Sequence, residues 1–333
     1  MKALYSLLAY AVLVVIVMLG VGVAGLDYFF GVIIPYAAIA IFIFGFVYKI
    51  VVWAKSPVPF RIPTTCGQQK SLPWIKQNKL DNPSSGIAAF GRMALEILFF
   101  RSLFRNSRVS LKKASEPKLV YGPDKWLWFF ALAFHWSFLI ILLRHLRFFA
   151  EPVPAFVTLL EQLDGFFQVG LPIILVTDIV IVTALTFLFL RRLFDAKIRY
   201  ISLPSDYFAL FMLLGIACTG ILMRYFTKTD IVGVKELAMG IISFHPTLPE
   251  GLSMLFYIHL FTVCLLFAYF PFSKLMHLGG VFLSPTRNLA NNNRAKRHVN
   301  PWNYDVPVHT YEEYEDEFRD VMKAAGLPLE KDS

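Results

Sequence analysis

The chain has 333 residues, 57% of them hydrophobic and 17% charged, with 33 phenylalanines and a mean hydropathy of +0.58. A water-soluble globular domain carries more charge than this, so the composition excludes that class and marks an integral membrane protein. The three cysteines, Cys66, Cys218 and Cys264, form no CxxC pair, which excludes covalent c-type haem attachment and leaves no zinc or iron–sulfur ligand set. 

Six stretches are long enough to cross ~30 Å of hydrocarbon as helices; they lie near 3–24, 29–53, 126–149, 168–192, 203–225 and 252–276. The expected fold is therefore all-α. The first stretch follows Lys2 and its apolar core is too long for an ordinary secretory leader, so it reads as a spanning helix or a signal anchor. Between the second and third stretches, residues 55–125 hold thirteen Lys/Arg against four Asp/Glu. Within that loop Phe90, Met93, Ile97, Phe100 and Phe104 recur at three- and four-residue steps. Arg101, Arg105, Arg108 and Lys112 occupy another face. The pattern predicts an amphipathic basic helix over 86–112, lying in the inner leaflet or under a partner. Cys66, in a Thr-Thr-Cys-Gly-Gln-Gln loop, is a packing or docking residue. Further along, 155–163 and 235–244 read as short helices on the outer surface. His245 precedes Pro246 in a loop and has a structural role. The tail from 284 is polar and irregular, and ends in an acidic, aromatic segment. Alone it would be mostly disordered. Its Trp302, Tyr304, Tyr311, Tyr314 and Phe318 suit a segment ordered against a protein partner; His298 and His309 lie there, outside the membrane.

Charge sets the expected orientation. Lys55, Lys118 and Lys125, then Arg191, Arg192, Lys197 and Arg199, then Lys274, Arg287, Arg294, Lys296 and Arg297 flank one set of span ends. Segment 150–167 has Glu151, Glu161 and Asp164 but no Lys or Arg. By the positive-inside rule both termini are cytoplasmic, and 150–167 and 226–251 lie outside. The +9 net charge thus reflects lipid orientation, not nucleic-acid binding.

Four histidines sit in or at the ends of these spans: His135 and His145, ten residues apart, and His259 and His277, eighteen apart. Imidazole is costly in hydrocarbon unless coordinated or hydrogen-bonded, which makes each a functional candidate. With ~1.5 Å rise per residue the two intervals are ~15 and ~27 Å along their axes. Eighteen residues is five helical turns, which predicts one continuous face for His259 and His277; His135 and His145 fall about 80° apart. The third and sixth spans run antiparallel, so His135 meets His277 on the inner side and His145 meets His259 on the outer side. Imidazole pairs on facing helices are how a bundle holds haem iron. A lone membrane histidine is ordinarily a packing residue. A non-haem oxygenase would gather its histidines at one face. A proton-coupled transporter would use them as relays, but no matched broken helices suggest inverted repeats.

Haem propionates need cations near the membrane edge. Arg144, Arg147 and Arg224 are available outside for propionate or quinone; Lys125, Arg191, Arg192 and Lys274 inside read as interfacial anchors. Asp178, beside Thr177 near the middle of the fourth span, should face the interior. It serves a proton path or a hydrogen bond to a neighbouring helix.

The histidine spacings on the second and last helices of a five-helix core resemble the gamma subunit of respiratory nitrate reductase, over about 29–280. So does the run Tyr-Phe-Pro-Phe-Ser-Lys-Leu-Met-His ending at His277. That resemblance implies a dihaem cytochrome b that oxidises quinol, with the quinol near the outer haem around His145, Arg144 and Arg224. The segments FRIPTTCGQQKSLPWIK (60–76), LDNPSS (80–85) and FRSLFRN (100–106) are similar to the DsrM subunit family of the sulfite-reduction-associated DsrMKJOP complex, across essentially the whole chain. This second resemblance implies two haem b and menaquinone as substrate. It also implies a cytoplasmic iron–sulfur partner related to the heterodisulfide reductase catalytic subunit. Periplasmic multihaem cytochrome c and iron–sulfur subunits and a second membrane subunit would complete the complex. Other heterodisulfide-reductase-like complexes share the core.

The expected organisation follows. Residues 1–28 form an extra N-terminal transmembrane helix and 29–53 the first core helix of a NarI-like fold. Residues 54–125 are a cytoplasmic loop, 126–280 the four-helix haem-binding remainder, and 281–333 a cytoplasmic partner-docking tail. The chain reads as an electron-transfer subunit of a cell-membrane oxidoreductase in sulfur-compound respiration.

Overall fold

The computed structural model describes residues 1–56, 76–112, 118–165, 173–290 and 308–331. Cys66, the 60–75 part of the loop motif, Arg294, Lys296, Arg297, His298, Trp302 and Tyr304 lie outside the described residues.

Among the described residues, five helices have the length and apolarity to cross a membrane: α1 (Lys2–Gly22), α2 (Phe29–Ala54), α4 (Lys125–Phe148), α7 (Pro204–Thr227) and α9 (Met254–Phe272). Between α2 and α4 come α3 (Gly86–Phe99) and the strands β1 (Ser107–Lys112) and β2 (Lys118–Pro123). Helix α5 (Ala155–Asp164) precedes α6 (Val176–Phe194), and α8 (Ile231–Ile242) separates α7 from α9. Two further helices, α10 (His277–Leu283) and α11 (Tyr311–Ala324), close the described chain. Helix α6 is the sixth member of the bundle; it carries Asp178, Arg191 and Arg192 and packs between α4 and α7. The fold is a mostly helical, multi-pass membrane bundle.

Neighbours run α4–α6–α7–α9–α2, and α1 packs on both α7 and α9. The outer face of α1 exposes Leu4, Leu8, Val12, Val15 and Leu19, which suits a helix solvated by acyl chains rather than water. Its inner face is specific: Tyr10 Oη lies 3.4 Å from Thr262 Oγ1, against Gly215, where any side chain would collide with the tyrosine. Helices α4 and α9, which carry three of the four histidines, are not close-packed on one another. One buried core joins Val17, Phe30, Leu237, Ile241, Phe256 and Tyr257. The other joins Ile181, Leu185, Met212, Leu213 and Leu266.

Four expectations change. First, α6 starts at Val176, after non-helical residues 173–175, because Asp164 Oδ1 accepts the Thr177 N–H at 2.8 Å and Tyr225 Oη accepts the Leu175 N–H at 3.0 Å. Asp178 consequently sits in the first turn of α6, not mid-span.

Second, the last span is not continuous. Pro271 cannot donate a ladder hydrogen bond, and a short 3₁₀ turn at Phe270–Phe272 gives way to extended Ser273 (ψ 177°). Gly45 of α2 lets that turn approach: a Cβ there would lie 2.9 Å from Pro271. His277 therefore begins a separate helix, α10, and five turns of one helix do not link it to His259.

Third, the amphipathic helix stops at Phe99, because Phe100 is left-handed (φ 51°, ψ 49°). A strand over 107–112 replaces its predicted end and pairs antiparallel with β2, with Val109 opposite Tyr121 and Leu111 opposite Leu119. The basic side chains are paired. Arg101 and Arg105 both bind Asp81, and Arg108 lies 3.4 Å from Asp195. Helix α3 is held to α4 by the Trp128 and Trp136 indole N–H groups, which donate to the Phe99 and Leu98 carbonyls at 2.7 and 3.1 Å.

Fourth, the acidic tail segment is helical. Thr310 and Glu313 form a reciprocal capping box, and the buried Glu315 carboxylate accepts the Glu330 and Lys331 backbone N–H groups at 2.8 and 3.1 Å. Those bonds hold the Glu315 carboxyl below its ordinary range.

Candidate functional site

Helix α4 presents His135 and, near its C-terminal end, His145; α9 presents His259, and the break at Ser273 turns His277 back towards His135. The His135 and His277 ring centroids are 5.8 Å apart, with planes at 79°. A single metal ion held by one nitrogen of each ring, at ~2 Å per bond, fits that separation.

In the first pair both Nδ1 atoms donate to backbone carbonyls: His135 to Ala131 O at 2.7 Å and His277 to Lys274 O at 2.9 Å. His145 Nδ1 donates to Ile141 O at 2.7 Å. A carbonyl only accepts, so in each case Nδ1 carries the proton and the neutral ring presents its lone pair at Nε2. His259 Nδ1 meets Thr219 Oγ1 at 2.8 Å. No Nε2 of the four has a hydrogen-bond partner among the described residues. Four imidazoles are thus oriented through one nitrogen and free at the other, as metal ligands are. Among the described residues no three His, Cys, Asp or Glu side chains form a chelating cluster; His135 and His277 approach as a pair.

The family model for the nitrate reductase gamma subunit matches residues 90–297. The chain belongs to the nitrate reductase gamma subunit family. Its similarity to the "Hdr-like menaquinol oxidoreductase cytochrome b-like subunit" of Archaeoglobus fulgidus is 49% identity, covering 84% of this chain and 85% of that protein. The protein of the same name from Archaeoglobus profundus is 46% identical over 83% of each. The nitrate reductase gamma chain of Bacillus subtilis is 29% identical over 47% of this chain and 72% of its own.

Around this gamma-family histidine frame, the outer cations are engaged. Arg144 binds Asp164, lies 3.6 Å from Asp178, and donates to Thr177 Oγ1 at 3.3 Å. Its side chain and that of Asp164 are only 11% and 3% exposed. Tyr225 Oη donates to Asp178 at 2.7 Å, so Asp178 is a partnered member of a buried network that ties α4, α5, α6 and α7 together. Arg147 donates to both Glu161 oxygens at 2.8 and 2.9 Å. Arg224 differs: its Nε is buried without a hydrogen-bond partner among the described residues. It lines a cavity of about 430 Å³ with Glu161, Gln162, Ile173 and Leu175.

Of the inner cations, Lys125 donates to Phe104 O at 2.6 Å and Arg191 to Asp124 at 2.7 Å. Arg192 and Lys274 share Asp206 at 3.3 and 2.8 Å. These close helix ends. His245 Nδ1 donates to Ser243 O at 2.8 Å in its loop, and exposed His309 lies 4.0 Å from Glu317. 

Three site residues escaped sequence reasoning. Thr219 holds His259. Gly220 lies beside it, where a Cβ would be in ordinary van der Waals contact with the His259 ring at 3.4 Å. Phe100 sets its ring edge-on to His135 at 4.9 Å, from a backbone conformation that costs a non-glycine residue energy and recurs at functional sites. Nothing in the spacing signals Thr219; Phe100 stands in the FRSLFRN run without any mark of its φ.

Proposed function

We propose that this chain is a dihaem cytochrome b that oxidises menaquinol on its outer side and passes electrons inward across the membrane. His135 and His277 are the axial ligands of the inner haem b, and His145 and His259 those of the outer. The observation that carries the reading is the orientation of the four imidazoles, each bound through Nδ1 with Nε2 unengaged among the described residues, together with the approach of His135 to His277. Bound haem supplies one-electron redox chemistry at each pair. The chain supplies ligand orientation, a low-dielectric path between the pairs, and the groups that receive quinol.

The relatives' names support menaquinol as the donor. Its headgroup is assigned to the outer side, where the Arg224–Glu161 cavity lies within one ion pair of Arg147, two residues from His145. Arg224 then offers its free Nε to a quinol oxygen, while Arg144 and Arg147 remain with their carboxylates and support the outer haem's propionates. Each menaquinol oxidised releases two electrons and two protons. The carboxylate network containing Asp178 is assigned as the proton exit. Cytoplasmic orientation of both termini follows from charge asymmetry. The inward acceptor is a heterodisulfide-reductase-like iron–sulfur subunit; the exposed apolar residues of the β1–β2 hairpin and the tail helix α11 are the surfaces it would cover. The loop motifs favour the DsrM subunit of a DsrMKJOP complex, with its periplasmic multihaem cytochrome c, iron–sulfur and second membrane subunits, in sulfur-compound respiration. The alternative within the class is the same subunit of another heterodisulfide-reductase-like complex.

The test is a reduced-minus-oxidised spectrum of the purified chain with haem quantitation. Two b-type haems per chain are expected. Fewer than two, or no b-type bands, overturns the reading in favour of a relay-type transporter or a structural anchor.

A further inference from the structure

The four histidines are not fixed in the same way. His135, His145 and His277 each rest on a backbone carbonyl three or four residues earlier in the chain. No side-chain substitution in the helix removes those acceptors. His259 meets a side chain from another helix, the Thr219 hydroxyl of α7 at 2.8 Å, with the Ile216 backbone carbonyl of the same helix beside it.

The direction of that bond is determined by Thr219's other contacts. Its Oγ1 lies 2.7 Å from Gly215 O and 3.1 Å from Ile216 O, both carbonyls of its own helix. A hydroxyl has one proton, and here it goes to a carbonyl. Thr219 therefore accepts from His259, so Nδ1 is the protonated nitrogen and Nε2 the free one. The pocket is shaped around this contact. Gly220 leaves ordinary van der Waals space beside the His259 ring, and Gly215 admits the Tyr10 hydroxyl of α1, which also reaches Thr262 three residues beyond His259.

We infer that Thr219 is a positioning residue that fixes the tautomer and ring angle of His259 and thereby sets the reduction potential of the outer redox centre separately from the inner one. This rests on His259 being an axial ligand. A hydrogen bond donated from the far nitrogen of a ligating imidazole makes the ligating nitrogen a better electron donor. That donation favours the oxidised metal. Losing it raises the potential of the outer centre, which makes that centre a stronger acceptor from quinol, and leaves the inner centre unmoved.

The experiment is a redox titration of the full chain in its membrane complex, following both b-type signals and the low-spin resonances of the two centres. In Thr219→Val, of nearly the same shape but without the hydroxyl, the outer centre is expected to shift positive. The shift should change its oxidised-to-reduced ratio at least threefold at fixed potential, roughly 28 mV at ~59 mV per tenfold for one electron. Its resonance should move with it, and Thr219→Ser should restore both. An unshifted outer centre in Thr219→Val overturns the inference, and so does a Thr219→Ser variant shifted as far as Val. If Val loses the outer haem, Thr219→Ala is titrated instead: a positive shift, or loss in both with retention in Ser, supports the role, and no shift overturns it. His259→Ala separates the two levels. Retention of two haems there defeats the ligand assignment itself, whereas an unshifted Thr219→Val beside a one-haem His259→Ala defeats only the role of Thr219.

Discussion

What a membrane histidine does is decided by its two nitrogens. A packing histidine satisfies both, because an unpaired polar atom in hydrocarbon is costly; among the described residues these four satisfy Nδ1 only. The residue type and spacing were legible in the sequence, and so was the approach of His135 to His277, which antiparallel spans and charge asymmetry lead one to expect. The hydrogen bonds that orient the rings were not, since a carbonyl three or four residues back is present in every helix and says nothing until the rotamer is known. Separate pairs have a direct consequence. In His145→Ala one haem is expected to disappear while the other keeps its ligands, because His135 and His277 meet through a different part of α4 and through α10. Haem quantitation should fall from two to one per chain. Equal loss of both haems in a folded variant would show that the pairs are not independent.

At the level of elements, hydropathy placed the helices well and broke down at their interruptions. Apolar runs persist through Pro271 and Ser273, so a window average sees one span where the backbone makes two pieces. The 86–112 segment fails for a related reason: its three- and four-residue periodicity is real, but Phe100 adopts a left-handed conformation that periodicity cannot report. What holds the chain after that bend is Asp81, which binds both Arg101 and Arg105. The hydrogen bond from Arg101 keeps the Asp81 carboxyl far below its usual range. A depressed folded-state value means that the stabilisation is full above the unfolded value of ~3.9 and fades as pH falls below it. Asp81→Asn removes the charge at every pH. It should cost about 1–3 kcal/mol, the range for hydrogen bonds between charged groups, with Arg105 half exposed and screened. The variant should show faster proteolysis within 76–112 at neutral pH than the parent. If cleavage rates are equal at neutral pH and diverge only in acid, Asp81 does not anchor this segment.

For the whole molecule, composition alone marks the lipid solvent, and charge asymmetry supplies an expected orientation. The additional N-terminal helix was legible as a helix. Its role was not, because the contact of Tyr10 with Thr262 and Gly215 joins residues more than two hundred positions apart. That packing ties α1 to the two helices bearing Thr219 and His259, so the helix outside the five-helix core supports the outer pair. The proposed reading makes the two pairs unequal: one meets quinol, the other meets the cytoplasmic acceptor. Variants with one haem each distinguish entry from exit. In a His277→Ala chain the outer pair is intact, and a menaquinol analogue should reduce the remaining b-type signal at close to the parent rate. In His145→Ala the inner pair is intact but stands away from the Arg224 cavity. The same quinol should then leave its signal oxidised, while dithionite, which needs no quinol site, reduces it fully. Reduction by quinol in both variants would mean that quinol reaches the inner pair directly. Reduction only in His145→Ala would place the quinol site on the cytoplasmic side and reverse the proposed direction of electron flow.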